Sequence, residues 1–415
     1  MRERMNSMSV HDDNALGLYV SIPFCRSKCT YCNFASGVYP VSEHARYVDR
    51  VIEDLRAAGD WAARTGLELR RCVDTIYLGG GTPSLLAPEH LARLFMAMRT
   101  EFEVAPDAEI TVECAPGQIA DETLGSLVSV GANRVSLGVQ SFIDREAHES
   151  GRLHGRAVVE EDLRRLRAAG IGNLSVDLIA GLAGQTFGSW EESLDALIES
   201  GVPHASVYML EVDEDSRLGR EMLAGGVRYR AGLVPSDDAI ATMYARAVEK
   251  LGEAGLGQYE ISNFCTPGFE SRHNLRYWQR RPYLGVGLDA SSMLLGALDA
   301  ADPNNDRYVL RSTTTDELGG YLDGPKPAET TWLSPERQHE EAWFLGLRLN
   351  AGVDVGAVER EFGREMVAPA MEVVERLVED GLVSSDGETV RLTERGRMLS
   401  NDVFQEFLGV AAVSS

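Results

Sequence analysis

The feature that most constrains the fold of this chain is a repeated alternation of short β-rich runs with amphipathic helical patterns. Six such runs precede residue 211, and a helical pattern separates each run from the next. Alternation at this spacing predicts βαβ units and a parallel sheet. Six units are two short of a complete (β/α)8 barrel, so the sequence predicts an α/β fold with a partial barrel. The predicted strands are Leu18 to Ile22, Val73 to Leu78, Glu109 to Cys114, Arg134 to Gly138, Leu174 to Ile179 and Ala205 to Leu210.

Polar and glycine-rich residues stand at or near the ends of the predicted strands. The C-terminal ends of the strands in a parallel barrel meet on one face, and active sites lie there. Signals from five strands would converge on that face, which predicts one functional site. The signals are the cysteine-rich loop after the first strand, the run Gly79-Gly-Gly-Thr82, Glu113, Gln140 and Asp177.

Three cysteines form the most specific of these signals. They occur in Cys25-Arg-Ser-Lys-Cys29-Thr-Tyr-Cys32, with the spacing C-x3-C-x2-C and no fourth cysteine nearby. A closed iron–sulfur cluster is held by four thiolates, so three thiolates would leave one iron of a [4Fe-4S] cluster open to a small ligand. Two alternatives remain at this point: a zinc site completed from elsewhere in the chain, and cysteines buried as part of a core.

The glycine run and two carboxylates are candidates for ligand binding. Glycines expose backbone N–H groups at close range, although a tight strand-to-helix turn would use them equally well. Glu113 and Asp177 lie in apolar strands, where carboxylates are rarely buried without a partner. They would bind a ribose or an amino group, or else form a salt bridge with Arg134 or Arg152.

An aromatic and basic segment follows the predicted barrel. It contains His273, Tyr277 and Trp278 among several arginines. Imidazole ligates iron, arginine pairs with propionate-like carboxylates, and aromatic rings stack on planar ligands. The alternative is a loop whose aromatic side chains simply pack in the core.

The composition limits the partners and the location. The chain has 415 residues with 40 basic and 64 acidic side chains, a net charge of -24, which opposes general binding to nucleic acid or anionic membranes. No apolar run approaches the length of a membrane span, and the first residues contain no apolar core of a secretory signal. Thiols that ligate iron must stay reduced, so the sequence predicts a cytoplasmic protein. The net negative charge predicts that it has no nucleic-acid partner.

Changes of pattern predict four segments along the chain. From Ala300 to Pro335 the sequence is polar and interrupted by Gly and Pro, which is typical of a connector. After it, the order helix, strand, turn at Asp386-Gly387, strand and helix predicts a winged-helix-like domain. The predicted segments are a flexible N-terminus (1–15), the barrel (16–235), a barrel-flanking segment with the aromatic motif and the connector (236–335) and the C-terminal domain (336–415).

Longer motifs resemble those of a known superfamily. They are Tyr19-Val-Ser-Ile-Pro-Phe-Cys25 with the two cysteines that follow, Gly79-Gly-Gly-Thr-Pro83, Asn133-Arg-Val-Ser-Leu-Gly-Val-Gln-Ser-Phe142, Val176-Asp-Leu-Ile-Ala-Gly-Leu182 and Tyr259-Glu-Ile-Ser-Asn-Phe264. Together they resemble the radical S-adenosylmethionine (radical SAM) superfamily. Within it they resemble the group that contains oxygen-independent coproporphyrinogen III oxidase and the heme chaperone HemW. The likeness extends from about Leu16 to Leu408.

The resemblance implies a partial (β/α)6 barrel that holds a [4Fe-4S] cluster and SAM. Cys25, Cys29 and Cys32 would bind the cluster, and its open iron would take the amino and carboxylate groups of SAM. In the chemistry of this superfamily the reduced cluster passes one electron to the SAM sulfonium. Carried over by motif, the residues that would line SAM or a second SAM-like site are Tyr19, Tyr31, Gly80, Gly81, Thr82, Glu113, Gln140, Arg152 and Asp177.

Three features distinguish between the two relatives in this group. Phe34 stands where the oxidase carries a further cysteine, the segment from His273 to Trp278 matches the H-N-x-x-Y-W motif typical of HemW, and the N-terminus is short. All three favour HemW. The resemblance therefore implies a chaperone that carries heme to acceptor proteins such as respiratory enzymes, with His273, Tyr277 and Trp278 as candidate heme contacts.

The same resemblance bears on the other partners of the chain. Homodimerisation and transient contact with membrane proteins are both compatible with a HemW-like role. The alternative function is that of an enzyme similar to oxygen-independent coproporphyrinogen III oxidase, which decarboxylates a porphyrinogen during heme biosynthesis.

Overall fold

The structure is a computed structural model that describes residues 15–296, 308–324 and 329–410. The predicted flexible N-terminus lies, apart from residue 15, outside these ranges. The strands in the described ranges are β1 Leu16–Ile22, β2 Leu67–Glu68, β3 Cys72–Gly80, β4 Glu103–Cys114, β5 Arg134–Gln140, β6 Asn173–Ala180, β7 His204–Met209, β8 Gly257–Glu260, β9 Asn263–Cys265, β10 Tyr283–Val286, β11 Ser291–Gly296, β12 Val309–Thr313, β13 Glu329–Leu333, β14 Val353–Asp354, β15 Val383–Ser385 and β16 Thr389–Leu392.

The helices begin and end where local chemistry favours it. Pro88 occupies the first turn of α2, where its missing N–H costs nothing, and Ser236 caps α8 by accepting from Ala239 N. The α-helices in the described ranges are α1 Ser42–Thr65, α2 Pro88–Glu101, α3 Asp121–Ser129, α4 Asp144–Glu149, α5 Arg156–Ala168, α6 Phe187–Glu199, α7 Arg217–Leu223, α8 Asp237–Glu253, α9 Arg272–Trp278, α10 Leu318–Leu322, α11 Pro335–Gly346, α12 Val355–Phe362, α13 Arg364–Glu379, α14 Glu394–Met398 and α15 Ser400–Gln405.

The six predicted strands are neighbours in one sheet and run parallel. They are β1, β3, β4, β5, β6 and β7, in that order across the sheet. A seventh parallel strand, β10, pairs with the other edge of β1, with Leu284 opposite Leu18. It comes from residues predicted only to flank the barrel, because a run of four residues is too short for periodicity to reveal. Antiparallel strands β11, β12 and β13 continue the sheet beyond β10, and β9 and β8 continue it beyond β7.

Alternation along the strands separates the core from the barrel interior. In β3, Ile76 and Leu78 are fully buried in the main apolar core, whereas Thr75 and Tyr77 point to the opposite face, as expected for a period of two. On that face Thr75 and Tyr77 contact His273. The barrel interior is therefore polar and aromatic, and apolar packing holds the strands from outside.

The predicted connector from Ala300 to Pro335 is wrong in part, because two strands and a helix lie within it. Strand β12 pairs with β11, and β13 pairs with β12. Both strands contain residues that favour strands, Val309 and Thr313 in β12 and Thr330, Thr331 and Trp332 in β13, and backbone pairing at a sheet edge does not require apolar side chains. Residues 300–307 and 325–328 of the predicted connector lie outside the described residues.

The C-terminal residues form a separate small core. A three-stranded sheet in the order β14, β16, β15 packs with α12 and α13. At the predicted turn, Asp386 Oδ1 accepts from Glu388 N at 3.0 Å and from Thr389 N at 2.7 Å. This is the predicted order of helix, strand, turn, strand and helix. Across the ranges that the structure covers, every helix is too short or too polar to cross a membrane.

Candidate cluster and cofactor site

The cysteine loop connects β1 to α1, and backbone hydrogen bonds fix its course. At its base, Cys25 N donates to Gly37 O at 2.9 Å. Its middle is tied to the ends of two helices, since Thr30 N donates to Ser150 O, just after α4, at 3.0 Å and Leu218 N, in the first turn of α7, donates to Thr30 O at 2.8 Å. The thiols therefore sit on a well-anchored segment at the C-terminal end of β1.

Polar side chains reach the sulfur atoms of this loop. Arg152 Nη1 donates to Cys29 Sγ at 3.5 Å, and Thr82 Oγ1 donates to Cys25 Sγ at 3.9 Å. Burial raises the pKa of the Cys25 thiol, and the hydroxyls of Ser36 and Thr82 oppose that shift. Such donors stabilise the thiolate, which is the form that binds a metal.

A cavity of about 510 Å³ opens beside the loop, over the C-terminal ends of the parallel strands. Its volume lies within the usual range of roughly 300–1,000 Å³ for cofactor pockets. The structure thus brings together side chains that are far apart in the sequence. The predicted site residues that line it are Cys25, Cys29, Tyr31, Cys32, Gly80, Gly81, Thr82, Glu113, Gln140, Arg152 and Asp177.

Tyr19 is predicted to contact SAM but lies one layer below the cavity. Its ring centre is 6.1 Å from that of Tyr77, and a Cβ added to Gly80 would lie 3.5 Å from the Tyr19 hydroxyl. Burial, followed by the nearby Glu113, raises the pKa of Tyr19. The hydroxyl therefore stays protonated beneath the glycine run and supports it from inside the barrel.

Glu113 stands at the end of β4 between two donors. Tyr77 Oη donates to its Oε1 at 2.8 Å, and Gly80 N donates to its Oε2 at 3.2 Å. Gly80 has φ of +96°, which only glycine adopts without strain, and this turn directs its N–H to the carboxylate. Burial raises the pKa of Glu113 to about 7, although the Tyr77 hydrogen bond lowers it. Near neutral pH the group is divided between its two protonation states.

Asp177 faces the same interior from β6 and is surrounded by hydroxyl groups. Ser136 Oγ donates to its two carboxylate oxygens at 3.0 and 3.3 Å, and Ser175 Oγ donates to Oδ1 at 3.4 Å. Burial raises the pKa of Asp177, and the hydrogen bonds from Ser206 and Ser136 oppose that shift. The group can therefore accept a further donor from a ligand in the cavity.

The alternative of a salt bridge does not describe these carboxylates. Arg152 directs its guanidinium to Cys29 Sγ and to the Gly138 carbonyl. Arg134 acts on the pKa of Glu113 and Asp177 only through longer-range electrostatics. Within the residues that the structure describes, both carboxylates face the cavity without a direct cationic partner.

Gln140 lines the cavity from an unusual backbone conformation. Its φ is +70°, which is uncommon for a residue with a side chain. The pairing of β5 with β6 is irregular between Gly138 and Gln140, and a bulge of this kind redirects a side chain. Strained residues of this type concentrate at functional sites, and this one points its amide into the cavity.

The sequence reasoning missed the contribution of the sixth strand. Tyr208, near the end of β7, and residues 209–213 line the cavity, and Asn33 Nδ2 of the cysteine loop donates to Asp213 Oδ2 at 3.0 Å. The strand-end rule that marked the other five strands applies here too. The residues that follow β7 are acidic, however, and in so acidic a chain they look like solvated surface.

The residues present fit a [4Fe-4S] cluster with one open corner. Three thiols lie on one anchored loop, and Cys32 Sγ is 3.9 Å from the Ser36 hydroxyl. Within the described ranges, no three His, Cys, Asp or Glu side chains are grouped so as to hold a metal ion. The thiolates of a cluster bind different irons, so they need not converge on one ion.

Comparison with known proteins identifies the family. Residues 19–197 match the radical SAM superfamily, and residues 333–399 match the HemN C-terminal domain. The chain is 33% identical to the heme chaperone HemW of Lactococcus lactis, over 94% of this chain and 96% of that protein. It is 32% identical to HemW of Bacillus subtilis, over 94% of this chain and 98% of that protein. The chain belongs to the HemW family.

A solved structure supports the fold of this HemW-family chain. Coproporphyrinogen III oxidase (HemN) from Escherichia coli, described as a radical SAM enzyme, matches with a TM-score of 0.79 and 23% identity. The match covers 95% of this chain and 90% of that one. At 23% identity, this structural similarity supports the fold and nothing further. The predicted fold, a partial radical SAM barrel with a C-terminal helical domain, is confirmed, and a radical SAM fold implies a [4Fe-4S] cluster and SAM in place of zinc.

The segment that matches the HemW motif H-N-x-x-Y-W forms α9 at the opposite end of the barrel. His273 is fully buried, and its ring nitrogens lie 2.9 Å from Thr75 Oγ1 and 2.9 Å from Tyr277 Oη. Burial, followed by the cationic Arg276, lowers the pKa of His273 to about 3. The ring is therefore neutral, and it donates at one nitrogen and accepts at the other.

The other two candidate heme contacts of the HemW motif also have partners inside the fold. The Tyr277 ring packs edge-on against Tyr283, with ring centres 4.7 Å apart. The guanidinium of Arg348, from the C-terminal unit, lies 4.2 Å above the Trp278 ring. None of the three residues lines the cavity, so the hypothesis that they contact heme stays a prediction.

The arginines of the same segment are paired internally. Arg276 is fully buried and pairs with Asp74, while its Nη1 donates to Ala15 O at 3.1 Å and to Pro282 O at 3.0 Å. Arg272 lies 3.8 Å from the Asp74 carboxylate. The alternative reading of this segment, a motif whose side chains pack in the core, describes the arrangement seen in this HemW-family chain.

Proposed function

We propose that this chain is a heme chaperone that carries a [4Fe-4S] cluster and SAM, binds heme and transfers it to acceptor proteins such as respiratory enzymes. One observation carries the proposal. Relatives that bear the name heme chaperone HemW match almost the whole chain and almost their own whole length, so the likeness is not confined to the shared barrel.

The cavity supports the part of the proposal that concerns the cluster. We assign Cys25, Cys29 and Cys32 as its ligands. The guanidinium of Arg152 beside Cys29 and the hydroxyl of Thr82 beside Cys25 supply positive charge and hydrogen bonds to the sulfurs, which stabilises a cluster of negative thiolates. A reduced cluster held by the three cysteines would supply one electron to the SAM sulfonium.

The remaining cavity residues support SAM binding. Glu113 and Asp177 each keep carboxylate oxygens directed at the cavity, where they can accept from an amino group or from ribose hydroxyls. Gly80, Gly81 and Thr82 line the cavity, and this run would pack against SAM. Their N–H groups already donate to Glu113 Oε2, Ile22 O and Phe24 O, so the run contributes shape to the site and no free donors. The amide of Gln140 and the ring of Tyr31 enclose the rest of the ligand and exclude water.

The place of heme is the least constrained part of the proposal. His273, Tyr277 and Trp278 are the candidates that the motif supplies. Because both His273 nitrogens already have partners, binding of heme iron there requires that at least one of these hydrogen bonds is exchanged. Phe34, which is 64% exposed at the cavity rim, replaces the extra cysteine of the oxidase with an apolar surface.

We further propose that the chain acts in the cytoplasm, without nucleic acid, and that it contacts membrane-bound acceptors only transiently. The excess of acidic over basic residues supports the exclusion of nucleic acid. Homodimerisation is compatible with this function and is tested by sedimentation of the protein with and without its cluster.

Heme titration of the cluster-reconstituted protein under anaerobic conditions tests the proposal. We expect a saturable Soret band with about one heme per chain, and transfer of that heme to an added apo-cytochrome. The control is an equal amount of serum albumin, which binds heme without specific transfer. Absence of stoichiometric binding by protein with its full iron content would contradict the chaperone function.

The same preparation tests the alternative of porphyrinogen oxidation. The protein is incubated with coproporphyrinogen III, SAM and a reductant, and decarboxylated products are measured by chromatography. We expect no decarboxylated product, because Phe34 occupies the position of the additional cysteine. Formation of protoporphyrinogen IX over many turnovers would favour the enzyme over the chaperone.

A further inference from the structure

We propose that Tyr77 is a positioning residue that connects α9, at the closed end of the barrel, with the SAM-binding carboxylate of Glu113 at the open end. The inference rests on the proposed function, because it assumes that SAM binds in the cavity. Tyr77 itself does not line that cavity, so it would act on SAM only through the groups that it holds.

The upper contacts of Tyr77 fix Glu113. The Tyr77 hydroxyl donates to Glu113 Oε1 at 2.8 Å, while Gly80 N donates to the other oxygen at 3.2 Å. Space around the pair is tight, since a Cβ added to Gly79 would lie 2.8 Å from Tyr77 Cε1 and 3.0 Å from Glu113 Cδ. The carboxylate is therefore clamped between the ring hydroxyl and the glycine run.

The lower contacts of Tyr77 meet α9. Its ring centre lies 5.3 Å from that of His273. Two residues earlier on the same face of β3, Thr75 Oγ1 bonds His273 Nδ1 at 2.9 Å and accepts from Arg276 Nε at 3.3 Å. One strand thus carries both the groups that hold α9 and the group that holds Glu113, so a shift of α9 is transmitted along β3.

Because Tyr77 donates a hydrogen bond to Glu113, the pKa of Glu113 shows whether that bond is present. Among the groups that act on its pKa, the Tyr77 hydroxyl is the side-chain donor, Asp177 disfavours ionisation and Arg134 favours it. Further titratable groups with electrostatic influence in this environment are Tyr19, Tyr208, Cys114 and Tyr277. Removal of the hydroxyl raises the pKa of Glu113 above its present value of about 7, because the ionised form loses a donor.

The first test compares Tyr77→Phe with Tyr244→Phe in cluster-reconstituted protein. Tyr244 is a matched control, because its buried hydroxyl makes two hydrogen bonds, to Ile261 O and from Gln258 Nε2, away from the cavity. SAM binding is measured by equilibrium dialysis from pH 6 to 9. For Tyr77→Phe we expect about tenfold weaker binding at pH 7, the effect of one lost hydrogen bond to a charged group.

The pH midpoint separates a positioning role from a structural one. SAM affinity falls as Glu113 takes up a proton, and in Tyr77→Phe that fall moves to higher pH by about one unit. Titration of SAM itself is common to both proteins, so the difference reports the protein. Tyr244→Phe keeps the wild-type midpoint.

The second test examines the connection to α9. Thr75→Val removes the hydroxyl that bonds His273 and lies outside the cavity. We expect about threefold weaker SAM binding when this change is made in the wild type, and no further weakening when it is made in Tyr77→Phe, which is the signature of coupled residues.

The outcomes distinguish the inference from the proposed function. If wild-type protein with full iron content does not bind SAM, the SAM assignment fails. If it binds SAM and Tyr77→Phe keeps both its affinity and its midpoint, or loses affinity without a change of midpoint, the positioning role is overturned. Fully additive effects of Thr75→Val and Tyr77→Phe would overturn the connection to α9.

Discussion

The two ends of the barrel use the same types of residue in opposite ways. At the open end, Glu113 and Asp177 direct carboxylate oxygens into a cavity of about 510 Å³. At the closed end, Asp74 and His273 are equally polar, yet each is bound by partners within the fold. Residue type alone therefore does not reveal function. What differs is whether the group, besides its partners in the fold, also faces a cavity where a ligand can reach it.

The pKa values at the two ends express the same difference. Burial raises the pKa of Glu113 to about 7, which leaves it able to exchange a proton with a ligand near neutral pH. Burial lowers the pKa of His273 to about 3, which keeps the ring neutral throughout the physiological range. A ligand in the cavity can therefore bind Glu113 directly, whereas a ligand of His273 must first replace its hydrogen bond with Thr75 or Tyr277.

The largest expected effect is at the open end, where Cys29→Ala should abolish the cluster. Only two of the three thiolates would remain on the loop. The further cysteine in the cavity lining, Cys114 at the end of β4, is a poor substitute, because burial raises its pKa to about 12 and keeps it a thiol. After anaerobic reconstitution we expect about four irons per wild-type chain and near-zero iron in the variant. The matched control is Cys265→Ala, a buried cysteine in β9, which should keep its iron. Equal iron content in the two variants would contradict the assignment of Cys29 as a cluster ligand at the open end.

At the closed end we expect a large loss of stability with the cluster retained. Arg276→Met leaves Asp74 without its closest buried cation, and breaking a buried pair costs about 3 kcal/mol or more. Urea unfolding measures the loss. Arg230→Met is the control, because its pair with Glu149 is partly exposed and should contribute less than about 1 kcal/mol. A similar small loss for both would mean that the closed end is not held by this ion pair.

An intermediate effect on stability is expected from Glu113→Gln in protein without SAM. The raised pKa of Glu113, about 7, means that the folded chain binds this proton more tightly than the unfolded chain. Its stabilising contribution is full below the unfolded pKa and is lost as pH rises through about 7. The variant cannot ionise, so it should gain roughly 2 kcal/mol relative to wild type between pH 5 and pH 8.

Urea unfolding at several pH values checks this sign. Glu253→Gln, at an exposed position near the end of α8, should follow the wild type throughout. A variant that is less stable than wild type at pH 8 would contradict the assignment of Glu113 as a carboxyl whose ionisation the fold disfavours.

The smallest effect is expected at the rim of the open end. Phe34 is 64% exposed, so Phe34→Ala should change the free energy of unfolding by less than about 0.5 kcal/mol. Iron content should also stay at the wild-type level. Heme affinity, measured by titration of the Soret band, would then show whether this apolar side chain contributes to cargo binding, and a loss of iron instead would place Phe34 in support of the cluster.

The open end was largely predictable from the sequence. Parallel strands deliver their C-terminal residues to one face, so Gly80, Glu113, Gln140 and Asp177 could be placed together without a structure. The strained backbone of Gln140 could not be foreseen, because a bulge depends on how β5 pairs with β6. Tyr208 was missed because the carboxylates that follow its strand, Glu211 and Asp213, look like solvated surface in so acidic a chain.

The closed end was not predictable in the same way. The motif from His273 to Trp278 contains residues that commonly bind heme, and the sequence gives no sign that Thr75 and Glu109 would meet them. Those contacts join residues about 160 to 200 positions apart. Spacing and periodicity report neighbours along the chain, so they cannot show which groups a distant strand will satisfy.

The pairing of β1 has a consequence for the making of the protein. The strand that leads into the cysteine loop is flanked by β3 on one side and by β10 on the other, with Leu284 opposite Leu18. At about 5–20 residues per second, roughly 13 to 50 seconds pass between the synthesis of β1 and the synthesis of β10. Until β10 emerges, β1 presents a bare edge of N–H and C=O groups to any other strand nearby. About two thirds of the chain must be synthesised before the base of the cysteine loop has both of its neighbours.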